Sequence, residues 1–308
     1  MVVVTVLLLT ELKHTFTEFA QRMKNDEMIT LAKFLAISGI ILPMLPHKNL
    51  IPDVNLTPYS IWLATVVVSG ISYLSYLLKR YVFQESGTLV SGIIGGLYSS
   101  TATISVLARK SRKASEQEAT DYVAAMLLAV SMMFLRFMIL ILIFSKEIFL
   151  SIYPYLLIMA VVAAIVAWFI HSRQKRPAEQ SAELEEDDSS NPLEFKVALI
   201  FAVLFVVFTF LTHYTLVYAG TGGLNLLSFV SGFSDITPFI LNLLQNTGSV
   251  AALIITACSM QAIISNIMVN MFYALFFAGK GSKLRPWILG GFGVVIACNL
   301  VLLLFFYI

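Results

Sequence analysis

The sequence predicts an all-α polytopic membrane protein made of two inverted structural repeats, each carrying a broken or re-entrant helix. Three observations lead there. Hydrophobic residues make up 58% of the 308 residues and the mean hydropathy is +0.86, beyond what a water-soluble domain carries. Two apolar segments are interrupted in their middles, Ser91–Arg109 (SGIIGGLYSSTATISVLAR) and Ser231–Asn242 (SGFSDITPFILN). Helix-breaking backbone survives inside a bilayer only where protein buries it or a wet cavity receives it. Finally, basic residues flank the first of these segments on both sides, Lys79 and Arg80 before it and Arg109, Lys110, Arg112 and Lys113 after it.

Along the chain, residues 1–10 are apolar but too few to span, and they lack the basic leader and small-residue cleavage site of a signal peptide. They read as the tail of a membrane helix whose beginning is missing. Residues 11–27 alternate charge with Leu12, Phe16, Phe19 and Met23 and suit a helix lying in the interface. Apolar runs come next at 28–46, 59–80, 88–108, 119–144, 148–171, 193–218, 224–245, 248–278 and 284–307, most of them long enough to cross. Pro43, Pro46, Pro52 and Pro58 punctuate the first connection as a turn-rich loop. Residues 172–192 are basic, then densely acidic, with no apolar period, and read as a disordered linker between a first membrane half (28–171) and a second (193–308).

Orientation follows from the basic loops. A crossing at 88–108 would put one basic cluster outside, whereas a hairpin that enters and returns keeps both inside. Carried forward, loops 81–87, 109–118, 172–192 and 279–285 are cytoplasmic, while Lys146 and the turn at 219–223 lie outside. The second broken segment then starts from the outer face, and the halves have opposite orientation.

Charges inside an apolar run are costly, about 2.5–3.5 kcal/mol at a helix centre, so each is a functional candidate. Asp235 is the deep carboxylate and Arg136 the deep guanidinium. The alternatives are that Asp235 caps a short helix begun by Thr237 and Pro238, which is compatible with a functional role, and that Arg136 snorkels to the outer interface. Ser99, Ser100, Thr101 and Thr103 could coordinate an ion or satisfy freed backbone groups, with Gly95, Gly96, Gly232 and Pro238 as the structural hinges. Asn266 and Asn270 share a helix face, which suits substrate contact or interhelical hydrogen bonding alike. Cys258 and Cys298 sit in apolar runs as small core residues, and His213 is an interfacial residue near a helix end.

No phosphate loop, His-Glu-x-x-His motif or nucleophile elbow occurs, so the chain is not expected to be an enzyme. The expected function is a membrane transporter or channel for a small ion or polar solute, with its site at the midplane between the two broken helices. Asp235 with hydroxyls would suit Mg²⁺ or Na⁺ as cargo, with Asp235 the metal ligand, while Arg136 with helix N-termini would suit an anion. The alternative is a non-transporting membrane module that regulates partner proteins. The net charge of +2 gives no reason to expect nucleic acid. The bilayer is the expected partner, and a homo-oligomer is left open.

The string GGLYSSTATISVLARKSRK, Gly95–Lys113, resembles the domain-of-unknown-function family 4010, a membrane domain that often follows an MgtC/SapB-type domain. The likeness extends to LPMLPHKN, SGISYLSYLLKR, Arg136 and SGFSDITPFIL. The second motif usual in that family resembles Asp-x-Asp-Ala; here Ser234-Asp235-Ile236-Thr237-Pro238 keeps one acid, and Asn270 stands where a Lys is common. The resemblance implies a bacterial inner-membrane protein loosely tied to magnesium and ion homeostasis, with an MgtC-type domain as partner.

Overall fold

The computed structural model describes residues 25–51, 54–83, 87–112, 114, 116–173, 195–245, 250–279 and 284–304. The expected apolar stub at 1–10, most of the interfacial helix and nearly all of the charged linker lie outside the described residues. Within them the chain forms nine helices and no strand: α1 Asn25–Met44, α2 Pro58–Leu77, α3 Thr88–Lys110, α4 Glu116–Phe144, α5 Lys146–Ser172, α6 Phe195–Ser231, α7 Ile236–Gln245, α8 Ala252–Ala278 and α9 Arg285–Leu304. Eight of these, all but α7, are long and apolar enough to cross a membrane, which fits an integral membrane protein.

Local chemistry sets the starts. Thr57 accepts the Ser60 N–H at 3.0 Å while the Ser60 hydroxyl accepts the Thr57 N–H at 3.2 Å, a reciprocal cap, and Pro58 occupies the first helical position of α2. Ser145 caps α5 in the same manner through the Ile148 N–H. At its other end α2 widens into a π turn, Leu78–Val82. There Arg80 pairs with Glu27 of α1 at 2.8 Å, and the Tyr76 and Tyr81 hydroxyls donate to the same carboxylate. A buried carboxylate with three donors is satisfied, and it ties α1 to α2.

Two of the eight long helices are broken. At Ser99 the backbone turns extended, φ −158° and ψ 107°. A Cβ on Gly95 would overlap the Thr103 side chain, eight residues on, which an unbroken helix would hold about 12 Å away. The chain therefore doubles back, in two arms of about 11 residues, 88–98 and 100–110. Each is about 16 Å long, half of a ~30 Å hydrocarbon core. In α6 the break is Gly220 at φ 58°, ψ −152°, a conformation that only glycine adopts readily. A Cβ on Gly223 would overlap Thr215, again eight residues apart, so 221–231 folds back on the long helix 195–219. A four-residue turn, 232–235, then reverses the chain into the ten-residue α7.

Sequence reading placed a hinge at Gly95 and Gly96, and the structure corrects this. Both stay inside the first arm of α3, where their lack of a side chain serves close packing instead. Cβ atoms on Gly92 and Gly96 would overlap the backbone of Ala125 and Ala129 on α4, a small-xxx-small contact between helices. Pro238 is likewise no hinge, being buried in the first turn of α7, where a missing N–H costs nothing. Gly232 does lie in the reversal, and a Cβ there would overlap Ser265 and Asn266 of α8.

The packing pairs repeat between the two parts of the chain. Helix α2 packs on α6 and α5 on α9. The contact of α3 with α8 is matched by α4 with α7, and that of α5 with α8 by α4 with α9. The core runs continuously through both parts, from Ile104, Phe134 and Ile141 to Phe205, Phe239 and Phe292. Long-range contacts also sort the helix ends. His171 at the end of α5 meets Asp121 at the start of α4 at 2.7 Å, and Arg112 after α3 donates to the Phe276 and Phe277 carbonyls at the end of α8. Asn55 before α2 donates to the Gln245 carbonyl at the end of α7 at 2.7 Å.

Candidate functional site

The two reversals come together. A cavity of about 470 Å³ is lined by Tyr98, Ser99, Ser100 and Thr101 from the break in α3 and by Phe233, Ser234, Asp235, Ile236 and Thr237 from the turn before α7. Arg136 of α4 and Asn266 of α8 add to its polar wall, and Val68, Met133, Phe137, Ile200 and Phe201 are among its apolar lining.

Each reversal is built from the same parts. An incoming arm ends on a carbonyl that lacks a helical partner, and a side chain from the next long helix supplies one. Arg136 Nη1 donates to the Tyr98 carbonyl at 2.7 Å, and Asn266 Nδ2 donates to the Gly232 carbonyl at 3.3 Å. The outgoing half-helix begins on a capping side chain. Ser99 Oγ accepts the Ala102 N–H at 3.3 Å, and Asp235 Oδ1 accepts the Thr237 N–H at 3.0 Å. Ser265 secures the second reversal further by donating to the Phe229 carbonyl at 2.7 Å. Two half-helix N-termini, with their partial positive charge, therefore start at the cavity wall.

Arg136 does not snorkel. Its side chain turns to the break in α3, and its Nε is buried without a hydrogen-bond partner. No ion pair within 4 Å joins it to Asp235, although both line the cavity. Asp235 performs the capping role, and with Ser234 and Phe233 it is exposed to the cavity rather than enclosed. An exposed carboxylate in so apolar a protein needs water around it. Among the described residues no cluster of three His, Cys, Asp or Glu side chains is present that would hold a metal ion.

Not every candidate residue reaches the cavity. Thr103 faces Gly95 across the fold of α3. Asn270 is buried one turn from Asn266 and donates to its Oδ1 at 3.2 Å, so it braces a lining residue. Cys258 and Cys298 are free thiols. His213 stacks edge-on against Tyr214, away from the cavity lining. Among the residues that sequence reading passed over, Ser69 and Ser72 of α2 bring hydroxyls to the cavity lining. Their signal was present as two hydroxyls three residues apart in an apolar run, one helix face.

The two roles of Asp235 separate by substitution. Asp235→Ala is expected to lower stability by about 0.5–2 kcal/mol through the lost cap, whereas Asp235→Asn, itself a good cap, is expected to leave it within a few tenths. Thermal unfolding of the purified variants in detergent checks this. Equal loss in both would show that the charge, and not the cap, stabilises the turn.

A family model described as Domain of unknown function (DUF4010) matches residues 66–278, which include both reversals and every lining residue named above. A protein of Aquifex aeolicus (strain VF5), bearing the name "Uncharacterized protein", is 24% identical over 227 residues, 72% of this chain and 96% of that one. No solved structure matches.

Proposed function

We propose, from the premise that the chain belongs to the DUF4010 family of apolar helical membrane proteins, that it is a transporter or channel for a small ion or polar solute. The observation that carries this reading is that two chain reversals far apart in the sequence, at Ser99 and at 232–235, face one cavity that gathers Arg136, Asp235 and several hydroxyls. Broken helices in corresponding positions of two halves are the arrangement by which membrane transporters build a midplane site.

In this reading α3 enters the membrane and returns, as does the pair 221–231 and α7, because neither set of arms is long enough to cross. Three long helices per repeat then span: α2, α4 and α5 in the first, and 195–219, α8 and α9 in the second, with α1 standing before the first repeat. An odd number of crossings inverts the second half relative to the first. The swap-symmetric packing of the helices supports this inversion. So do Lys79, Arg80, Arg109, Lys110, Arg112, Arg173 and Arg285, which this topology gathers on one face, the cytoplasmic one by the excess of basic residues.

Flux through liposomes tests the reading. Vesicles carrying the purified chain, diluted into salts of small ions, are expected to take up at least one ion faster than protein-free vesicles. In a background with Cys258→Ala and Cys298→Ala, thiol modification of Ser234→Cys is expected to slow that uptake. Flux at the protein-free rate for every ion, or flux indifferent to modification at the turn, would argue for a module without a transport path.

A further inference from the structure

We infer that the cargo of this site is a small anion, an inorganic anion or a short carboxylate, bound against Arg136. The inference rests on the transport reading above and adds the sign of the charge. Asp235 and Arg136 both line the cavity, so the question is which of them has binding capacity left.

The guanidinium has five N–H donors, and among the described residues its hydrogen bonding is limited to Nη1 on the Tyr98 carbonyl. Nε is a buried orphan, and Asp235 does not come within ion-pair distance. A guanidinium with donors left over inside a membrane protein is expensive, and Asp235, beyond ion-pair distance in the same cavity, answers it only in part, which leaves room for an anion or water. Around it the negative ends of the incoming arms are already engaged, Tyr98 O by Arg136 and Gly232 O by Asn266. Of the positive ends, the one at Ser100 starts at the cavity wall behind a neutral serine cap, whereas the one at Ile236 is capped by Asp235.

A cation would find less. Asp235 has one oxygen committed to the Thr237 N–H and stands at a helix N-terminus, where its charge is already partly balanced. Mg²⁺ and Ca²⁺ need six or more oxygens around them, with carboxylates prominent, and among the described residues Asp235 is the one carboxylate in the cavity lining. The expectation that Asp235 is a metal ligand is therefore set aside in favour of Arg136 as the binding group. Ser69 and Ser72 of α2, with Ser100 and Thr101, add neutral hydroxyls to the same cavity wall.

Thiol chemistry reads the sign directly. In the Cys258→Ala, Cys298→Ala background, Thr101→Cys places a thiol in the cavity wall and Gly222→Cys a reference thiol away from it and from the basic loops. Each is reacted with the anionic sulfonatoethyl and the cationic trimethylammonioethyl methanethiosulfonate. The anionic-to-cationic rate ratio at Thr101→Cys is expected to exceed that at Gly222→Cys severalfold, because Arg136 keeps donors for an anion while Asp235 is partly spent as a helix cap. Arg136→Gln is expected to abolish the excess, and Arg136→Lys, which keeps the charge, to retain most of it. Sodium chloride, nitrate, phosphate, sulfate or formate is expected to protect Thr101→Cys saturably relative to sodium gluconate. Exchanging sodium for potassium or magnesium at fixed chloride is expected to change nothing.

A faster cationic reagent, or protection that follows the cation and disappears in Asp235→Asn, would overturn the anion assignment while leaving the transport reading intact. So would equal ratios at the two thiols with no protection by any anion. Failure of both reagents to reach Thr101→Cys in folded protein would remove the wet cavity, and with it both the inference and the reading beneath it.

Discussion

Gly96→Leu is expected to cost the fold more than any single change at the polar residues of the cavity. A Cβ at this position already overlaps the Cα and carbonyl of Ala129, so three further carbons have nowhere to go unless α3 and α4 separate. The obstacle is backbone, which cannot rotate away as a flexible side chain would. Overpacking of a dense core typically costs about 1–3 kcal/mol, and a rigid obstacle puts this case at the upper end or beyond. Separation of α3 from α4 would also draw the Tyr98 carbonyl away from Arg136, so stability and the site fail together. Thermal unfolding in detergent is the readout, with Gly39→Leu as the control, since nothing lies within 4 Å of a Cβ there. Equal melting of the two variants would show that the arm of α3 is free to move away from α4.

Arg136→Ala carries the second large effect. The change leaves the Tyr98 carbonyl without its donor at 2.7 Å, and an unsatisfied buried carbonyl costs about 1–3 kcal/mol. It also removes the cation from the cavity wall. A hydrogen bond to a charged group contributes about 1.5–3 kcal/mol, so binding or flux is expected to fall roughly ten- to hundredfold at 1.36 kcal/mol per decade. Arg136→Lys is expected to restore folding more fully than binding, because a lysine reaches the carbonyl as a point donor but lacks the planar fork. Flux unchanged in a folded Arg136→Ala protein would reduce the residue to a brace for the break.

Much of the fold is legible in the apolar runs. Their lengths anticipate α2, α4, α5 and α8, and a break in the run at 88–108 is visible as a string of small residues. Its position is less legible. Glycines look like hinges in a sequence, but in a membrane bundle they are equally the residues that let helices touch. Gly92 and Gly96 serve packing, and the hinge falls on Ser99, whose hydroxyl caps the outgoing arm of α3. A serine in a helix interior and a serine at a cap are the same letter.

The site divides in the same way. Arg136 and Asp235 stand out because charge in an apolar run is rare and costly. Thr103 and Asn270 share their neighbours' composition, yet the helical turn carries them to other surfaces, a matter of about 100° per residue that composition does not record. Ser69 and Ser72 hide for the opposite reason. Hydroxyls are common in membrane helices, where they can bond to their own backbone, so two of them on α2 do not announce a cavity. Only the meeting of α2 with the two reversals marks them.

The central claim is that both broken segments enter the membrane and return, from opposite faces. Four single cysteines in the Cys258→Ala, Cys298→Ala background test it: Gly87→Cys and Ala114→Cys flank α3, and Gly222→Cys and Ala251→Cys flank the pair formed by 221–231 and α7. Each is treated in sealed vesicles of known orientation with a thiol reagent that does not cross the bilayer. Gly87→Cys and Ala114→Cys are expected to label from one face, and Gly222→Cys and Ala251→Cys from the other. Labelling of Gly87→Cys and Ala114→Cys from opposite faces would mean that α3 crosses, and it would contradict both the inversion and the midplane site built on it.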